Sequence, residues 1–350
     1  MLIEENRPLA PYTTLGIGGP ARWFVEAVSE NEIAEAADWA RMRSVPLFVL
    51  GGGSNLLVAD AGFDGLVVQV ALQGIRMEPA EGGRRGIVRA AAGEFWERCV
   101  ELSLDAGWAG VECLAGIPGT VGGTPVQNVG AYGQEVAAVI ERVRAFDTVE
   151  RGFVELSAAE CGFSYRRSRF NTADRGRFIV TRVDFRLTPG GAAAIRYPEL
   201  QRAVAREDPN AQPSPAQIAE TVRRIRRGKG MLIVEGDPDC RSAGSFFKNP
   251  VISEDHFQRI SAADAAPHFA AGTGAEGSVK IPAAWLIEQA GFSKGYALGN
   301  AGISSRHTLA LVNRGGATAG EILRLAEKIS SAVEARFGIR LEREPVLLGF

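Results

Sequence analysis

The chain has few of the residues from which metal centres and disulfide frameworks are built. It contains four cysteines and three histidines in 350 residues. The cysteines show no Cys-x-x-Cys spacing, which argues against a zinc site, and nothing in the sequence requires disulfides. The histidines show no metal-ligand spacing, so we expect surface or structural roles for them and no metal. These residues are Cys99, Cys113, Cys161, Cys240, His256, His268 and His307.

The sequence also lacks an excess of charge and long apolar runs. Its formal net charge is −2, which does not support a nucleic-acid-binding surface. No run approaches the roughly 18 apolar residues of a membrane span, and the first residues, MLIEENRPLA, lack the apolar core of a signal peptide. We therefore expect a cytoplasmic protein with no nucleic-acid or membrane partner, long enough for two or three domains.

Glycine, in contrast, is abundant and concentrated. Residues 110–135, GVECLAGIPGTVGGTPVQNVGAYGQE, contain seven glycines and two prolines. Glycine permits positive φ and close approach of the backbone to a ligand. Successive turn residues can direct several N–H groups into one concavity that binds phosphate. The alternative is a pair of ordinary turns, which composition alone favours.

A shorter glycine loop that comes earlier in the chain changes that balance; we call it the first glycine loop and residues 110–135 the second glycine loop. Residues 51–55, GGGSN, follow the apolar run 47–50, which predicts a buried strand. The loop matches neither the P-loop nor the dinucleotide-binding GxGxxG pattern. Two glycine loops flanked by short strands indicate a dinucleotide held by backbone amides.

The rest of the chain alternates between strand and helix patterns. Capping boxes at Ser29, Ser214 and Thr318 predict three helix starts. Five cations within residues 223–229 end the second of these helices, and they suit either a solvated helix end or an anion site. The predicted strands are 22–28, 47–50, 65–70, 86–92, 143–147, 153–156, 178–187 and 339–348. The other predicted helices are 95–106 and 283–290, and Gly338 is predicted to end the last helix.

Four segments in a fixed order resemble a known family. They are GGGSNLLV at 51–58, IPGTVGGTPVQNVGAYG at 117–133, SYRRSRF at 164–170 and AGSFFKNP at 243–250. Together they resemble the UDP-N-acetylenolpyruvoylglucosamine reductases, flavoenzymes of peptidoglycan synthesis. The resemblance covers nearly the whole chain.

The resemblance implies an α+β fold. It implies a two-lobed FAD-binding module of the vanillyl-alcohol-oxidase (PCMH-like) type and a separate C-terminal substrate-binding α+β domain. We expect FAD-binding lobes at 1–72 and 73–212, the substrate domain at 213–338, and a strand at 339–350 that returns to the active site. A monomer is favoured, with non-covalent FAD and with NADPH as hydride donor. The implied FAD-binding residues are Gly51, Gly52, Gly53, Ser54, Asn55, Ile117, Pro118, Gly119, Thr120, Gly122, Gly123, Gly130, Ala131 and Tyr132.

Reduction of an enolpyruvyl ether implies three catalytic roles. Charge develops on the substrate carboxylate, and by resemblance Arg166 is the cation that holds it. Strand alternation would place Arg167 on the opposite face. Ser245 is implied as the proton donor to the substrate carbon, and Glu344 as the carboxyl that stabilises the enolate. Glu342 is the rival, since two residues along a strand share a face.

Further residues are implied for the nucleotide sugar. Arg226 and Lys229 resemble the basic ligands of its diphosphate. Tyr197 resembles an aromatic residue that closes over substrate in one subclass, although simple packing at a helix start is equally expected. Asn249, which would also orient Ser245, and Gln289 are further candidates for substrate contact.

Two alternative functions remain open at the level of sequence. The first is another FAD oxidoreductase of the same fold that acts on a different sugar or hydroxy acid, which would have no reason to carry GSFFKNP together with Arg166. The second is a non-catalytic nucleotide-sugar binding protein, which would need neither Ser245 nor a flavin.

Overall fold

The computed structural model describes residues 1–79, 85–207, 212–261, 265–270 and 277–350. The chain divides into two compact units, each assembled from separated stretches. The first unit comprises Met1–Arg7, Ala21–Gly53 and Asp64–Arg227, and the second comprises Pro8–Pro20, Ser54–Phe63 and Gly228–Phe350. The domain boundaries expected from the sequence stay a prediction.

Within the described residues, strands and helices alternate along the chain. The strands are β1 Glu4–Pro8, β2 Pro20–Ala27, β3 Leu47–Leu50, β4 Leu56–Val58, β5 Phe63–Val70, β6 Ile75–Pro79, β7 Gly86–Ala91, β8 Trp108–Ala109, β9 Gly130–Ala131, β10 Gln134–Glu135, β11 Ile140–Asp147, β12 Gly152–Ser157, β13 Phe178–Pro189, β14 Ser242–Ser245, β15 Val251–Ser253, β16 Phe269–Ala270, β17 Ser278–Lys280, β18 Ala297–Leu298, β19 Ala301–Ile303, β20 Ala310–Asn313 and β21 Val346–Leu348. The α-helices are α1 Glu30–Met42, α2 Trp96–Asp105, α3 Pro198–Glu207, α4 Pro215–Gly228, α5 Glu254–Ser261, α6 Ala283–Gln289 and α7 Ala319–Phe337.

The first unit is built on two sheets. One sheet has the order β1-β2-β5-β3, and its β3 and β5 strands are parallel. The other runs β12-β11-β13-β7-β6 and is antiparallel, with β8 added beside the end of β13. Helices α1 and α2 contribute to the apolar core of the unit, in which Ile33, Trp96 and Phe185 are almost fully buried. Burial of such large apolar side chains is the main favourable term for folding.

The second unit has its own apolar core and smaller sheets. Their orders are β14-β20-β19-β18 and β15-β17-β16, and β21 pairs in parallel with β4. Helix α7 buries one apolar face that includes Ile322, Leu325, Ile329 and Val333, as its 3.6-residue periodicity predicts.

The predicted helix ends are confirmed. The Ser29 hydroxyl accepts from the Glu32 amide at the start of α1, and Ser214 and Gln217 exchange side-chain and backbone hydrogen bonds at the start of α4. Thr318 forms a complete capping box with Glu321, and Gly338 ends α7 in the left-handed conformation at φ 67°.

Two predictions about local structure are wrong. The last strand is shorter than 339–348 and covers only Val346–Leu348, because Pro345 has no N–H to continue a ladder. The argument that Glu342 and Glu344 share a strand face therefore fails. Residues 164–167 are a tight turn in place of a strand, with reciprocal hydrogen bonds between Ser164 and Arg167 and with Arg166 at φ 56°. Strand alternation consequently does not describe Arg166 and Arg167.

Candidate active site

The two predicted glycine loops lie against each other in the first unit. A Cβ atom added to Gly52 would lie 2.5 Å from the Gly119 Cα atom, and one added to Gly51 would lie 2.9 Å from the Thr120 hydroxyl oxygen. Real Cβ atoms do not approach backbone that closely. Glycine is therefore required at 52 because the loops touch through their backbones, a reason that the sequence did not reveal.

Part of the expected amide-lined concavity is used internally. The N–H groups of Val121, Gly122 and Gly123 donate to backbone carbonyls, so they are not available to a phosphate. Among the residues that the structure describes, the buried Thr120 hydroxyl has no hydrogen-bond partner, and the N–H groups of the half-buried Gly52 and Gly119 donate to no backbone carbonyl of a turn or loop. A buried hydroxyl is normally satisfied. These donors, at the contact between the two loops, fit a bound phosphate.

The loop continues into a tight hairpin that carries further predicted residues. Strands β9 and β10 pair through the turn formed by Tyr132 at φ 48° and Gly133 at φ 81°. Two successive residues with positive φ match the turn geometry that two-residue hairpins favour. The backbone thereby fixes the position of Tyr132, whose ring meets that of Tyr197 edge to face at 5.7 Å between centroids. Tyr197 directly precedes α3, and this ring contact is compatible both with simple packing and with substrate contact, which stays a prediction.

Arg166 lies beside the same hairpin. Its guanidinium Nη2 donates to the Gly130 carbonyl at 2.9 Å, and its own carbonyl accepts from the Asn171 side chain at 3.1 Å. The left-handed backbone at a non-glycine residue is uncommon and is a feature of functional sites. The turn is held by Ser168, whose hydroxyl donates to the Val126 carbonyl at 2.6 Å. These contacts fix Arg166 relative to the second glycine loop.

The two predicted diphosphate ligands, Arg226 and Lys229, belong to different units. Arg226 lies on α4 in the first unit, and its Nε donates to the Gly116 carbonyl at 3.1 Å. Burial lowers the pKa of this guanidinium, an effect that Tyr132 and Glu97 oppose. Burial also raises the pKa of the Tyr132 hydroxyl. Lys229 follows the end of α4 and belongs to the second unit.

The second unit brings Ser245 and Glu344 together. Ser245 ends β14 opposite Ala310, after Gly244 in the left-handed conformation. The Glu344 N–H donates to the carbonyl of Phe246, the next residue after Ser245, at 2.9 Å. The carboxamide of Asn55, which also belongs to the second unit, donates to the Glu344 carbonyl at 3.3 Å and supports the same segment. Both Ser245 and Glu344 are half-buried.

The rival carboxyl is oriented away from this arrangement. Glu342 is exposed, and its carboxylate forms an ion pair with Lys248. The Lys248 N–H also donates to the Glu342 carbonyl at 2.9 Å. Glu342 is therefore the more exposed of the two carboxyls, and the choice of Glu344 for chemistry stays a prediction.

The remaining substrate candidates have structural roles in the second unit. The side-chain Oδ1 of Asn249 accepts from the Ala283 N–H at 2.9 Å and so satisfies a donor at the start of α6 that has no partner within the helix. Gln289 is the last residue of that helix, and its backbone carbonyl accepts from Arg336. Their predicted substrate contacts stay predictions.

Two buried polar residues in the glycine-rich region were not assigned by sequence. The Asn128 side chain, at φ 48°, donates to Glu135 at 2.8 Å and to the Ser164 carbonyl at 3.1 Å, joining the loop to the Arg166 turn. Glu112 is 1 % exposed and accepts from the Gly110 amide, the Gln134 side chain and the Ala194 amide. In the sequence, a polar residue within a glycine-rich loop is the pattern that predicts side-chain hydrogen bonds of this kind.

Comparison with known proteins decides between the alternatives. The family description "UDP-N-acetylenolpyruvoylglucosamine reductase, C-terminal domain" matches residues 237–348, and "FAD binding domain" matches residues 21–152. The UDP-N-acetylenolpyruvoylglucosamine reductase of Streptomyces coelicolor is 46% identical over 355 residues, which cover 99% of this chain and 90% of that protein. The chain belongs to the UDP-N-acetylenolpyruvoylglucosamine reductase family.

Other members of the reductase family agree. The reductase of Thermobifida fusca is 45% identical, with 99% of this chain and 98% of the relative covered. The solved UDP-N-acetylenolpyruvylglucosamine reductase of Thermus caldophilus is 28% identical, with a TM-score of 0.68 and 99% of each chain covered. The predicted α+β class, an FAD-binding module joined to a separate C-terminal domain, is confirmed.

Membership of the reductase family also confirms the predicted function. The chain is a flavin-dependent oxidoreductase that uses FAD and NADPH, and it makes UDP-N-acetylmuramate for peptidoglycan synthesis. Desolvation raises the pKa of the buried Cys113 thiol to about 12, so this cysteine stays protonated at neutral pH and does not favour a covalent flavin link. None of the described helices is both long and apolar enough to span a bilayer.

Proposed function

We propose that Arg166, Ser245 and Glu344 carry the reduction of the enolpyruvyl group. The observation that supports this most directly is the hydrogen bond from the Glu344 N–H to the Phe246 carbonyl, which holds the backbone of Glu344 next to the residue that follows Ser245. FAD, when bound at the glycine loops, supplies the hydride chemistry. The protein residues supply charge stabilisation and a proton.

Arg166 is the cation for the substrate carboxylate in this proposal. Charge builds up next to that carboxylate as the alkene is reduced, and a fixed guanidinium stabilises it without reorganisation. A guanidinium also matches the two oxygens of a carboxylate better than an ammonium does. The bond from Arg166 to the Gly130 carbonyl holds the side chain in one orientation, which supports this role.

Ser245 donates the proton to the carbon next to the carboxylate. A serine hydroxyl is a weak acid, so this step needs a strongly basic carbon and nearby stabilisation of the oxygen left behind. Glu344 stabilises the enolate by hydrogen bonding. Its backbone is fixed on both sides, since its N–H and its carbonyl are hydrogen-bonded to Phe246 and to Asn55.

We assign Arg226 and Lys229 to the diphosphate of the nucleotide sugar, with Tyr197, Asn249 and Gln289 as further substrate contacts. Arg226 lies on α4 and binds the carbonyl of Gly116 in the second glycine loop, and its guanidinium carries five N–H donors, a number that suits contact with more than one acceptor. The proposal includes a monomeric, cytoplasmic enzyme.

Separating the two half-reactions tests the residue roles. Under anaerobic conditions NADPH is added to the purified holoenzyme, and the flavin band near roughly 450 nm is followed; enolpyruvyl-UDP-N-acetylglucosamine is then added to restore it. We expect Ser245→Ala to bleach at the normal rate and to recover about a hundredfold more slowly, as expected for loss of an acid catalyst. Equal slowing of both steps would remove Ser245 from proton transfer.

The same experiment separates the alternative functions. Bleaching without recovery in the unmodified enzyme would keep the flavoenzyme and overturn the substrate. A protein that shows no flavin band, even after FAD is added, would favour the nucleotide-sugar binding protein instead.

A further inference from the structure

The second glycine loop is held along its length by four residues, 94–97, at the start of α2. The Trp96 ring N–H donates to the Leu114 carbonyl at 3.0 Å, and its backbone N–H donates to the Gly119 carbonyl at 3.0 Å. The Val121 N–H donates to the Glu94 carbonyl at 2.8 Å. The shape of the loop is thus set in part by the start of α2 and the two residues before it, and not by the loop alone.

Glu97 is one of two charged residues in this segment; the carboxylate of the other, Glu94, accepts from the Gly74 N–H, whereas that of Glu97 has two different partners. One carboxylate oxygen accepts from the Gly116 N–H, directly before the loop residues Ile117–Thr120. The other accepts from the Arg223 guanidinium at 2.6 Å, with the two side chains 31% and 23% exposed. Hydrogen bonds to ionised groups are about twice as strong as neutral ones.

Both backbone polar groups of Gly116 are therefore hydrogen-bonded to charged side chains. Its N–H is bound by Glu97 and its carbonyl by Arg226, while its φ of 72° lies in the left-handed region. Arg223 and Arg226 lie three residues apart on α4, one helical turn, and so project from neighbouring positions of that helix. Glu97 thus connects the basic end of α4 to the peptide that enters the loop.

We propose that Glu97 is a positioning residue that couples α4 to the cofactor loop and thereby controls how tightly FAD is held. It does not touch the reacting atoms. Without its carboxylate, the Gly116 N–H loses its acceptor and Arg223 loses its counter-ion, so the loop entrance is no longer fixed. The donors at Gly119 and Thr120 then spend less time in the orientation that fits a phosphate. This inference rests on the assignment of residues 117–123 to FAD.

The test measures FAD release from the holoenzyme. The enzyme is diluted, and the rise in flavin fluorescence gives the release rate; the visible spectrum of bound flavin and the tryptophan-monitored unfolding temperature are recorded alongside. We expect Glu97→Ala to release FAD about tenfold faster, and Glu97→Gln, which keeps one acceptor for Gly116, about threefold faster. The matched control Arg224→Gln, on the same helix at an exposed position, should change nothing.

A double-mutant cycle isolates the coupling. Arg223→Gln should speed release about threefold in the parent enzyme and have no further effect in Glu97→Ala, because the partner is already absent. If the two substitutions instead multiply each other's effect on the FAD release rate in the double variant, the two residues act independently and the proposed coupling is wrong. If Glu97→Ala lowers the unfolding temperature but leaves the FAD release rate and the spectrum of bound flavin unchanged, Glu97 has only a structural role.

A second comparison separates this inference from the assignment of the loop. Gly52→Ala changes the contact between the loops and should speed FAD release. Unchanged release in that variant would overturn the assignment of these loops to FAD. Faster release in Gly52→Ala but not in Glu97→Ala would overturn only the inference about Glu97.

Discussion

Replacing Gly52 by alanine tests whether contact between the glycine loops builds the FAD site. The added Cβ would lie 2.5 Å from Gly119 Cα and 2.9 Å from Gly119 C. Ordinary van der Waals contact begins near 3.4 Å, so the loops must separate by about 0.9 Å, the difference between 3.4 and 2.5 Å. The φ of Gly52 is not in the left-handed region, so alanine causes no backbone strain of its own.

The size of the effect follows from what must move. The obstructing atoms are backbone, which cannot rotate away as a side chain can. Overpacking of this kind costs about 1–3 kcal/mol. A shift of this size also moves the Gly119 N–H and the Thr120 hydroxyl away from the arrangement that fits a bound phosphate. We therefore expect FAD affinity to fall at least about tenfold, which corresponds to roughly 1.4 kcal/mol.

Gly152→Ala is the matched control. It lies in β12 of the same unit but outside both glycine loops, its φ is not in the left-handed region, and its added Cβ would meet nothing within 4 Å. Titration of each deflavinated variant with FAD, followed by quenching of flavin fluorescence, gives the two dissociation constants. If Gly52→Ala binds FAD as tightly as the parent, or if Gly152→Ala weakens binding equally, loop contact does not build the site.

Three further outcomes are expected. Glu344→Gln should lower kcat at least about a hundredfold, whereas Glu342→Gln, which loses only an ion pair with Lys248, should keep kcat within about twofold; similar losses would reopen the choice of carboxyl. Arg177 and two backbone amides hold the pKa of Asp147 below its usual range. This stabilisation is therefore present above the unfolded-state pKa of about 3.9 and is lost as pH falls through the lower folded pKa. The melting temperature of Asp147→Asn should accordingly lie below that of the parent at pH 7, and the gap should narrow near pH 3; a gap independent of pH would contradict this. Arg306 binds Asp237 and Asp239 and so fixes the connection between Lys229 and Ser245. Arg306→Gln should raise KM for the nucleotide sugar more than it lowers kcat, and an unchanged KM would contradict the positioning role.

Elements with local signals were predictable from the sequence. Helix α7 carries its own start signal at Thr318, a periodic apolar face, and an end signal at Gly338, and all three are confirmed. The strand Leu47–Leu50 and the glycine loop after it were likewise found, because an apolar run that meets three glycines has few alternatives. In each case the residues that determine the element lie within it or directly beside it in the sequence.

The prediction failed where a backbone bond to a distant segment decides the conformation. Glu344 lies inside the predicted strand 339–348, yet its N–H and carbonyl groups bond to Phe246 and Asn55 and not to one continuous ladder. The turn at Arg166 is similarly fixed by Asn128 and Ser168, which contact residues in both the loop and the turn. Neither pattern of partners can be read from spacing along the chain.

Arg226 illustrates why a residue type alone does not settle a role. Its position among five cations suggested an anion ligand, but a cation at the end of a helix is also explained by the helix dipole. The structure adds a third function, since the side chain binds the Gly116 carbonyl in a partly desolvated setting. Because the guanidinium has several donors, it can bind this carbonyl and a phosphate together. A role as diphosphate ligand and a role in shaping the FAD loop are then compatible, and both would tie substrate binding to the loop through one side chain.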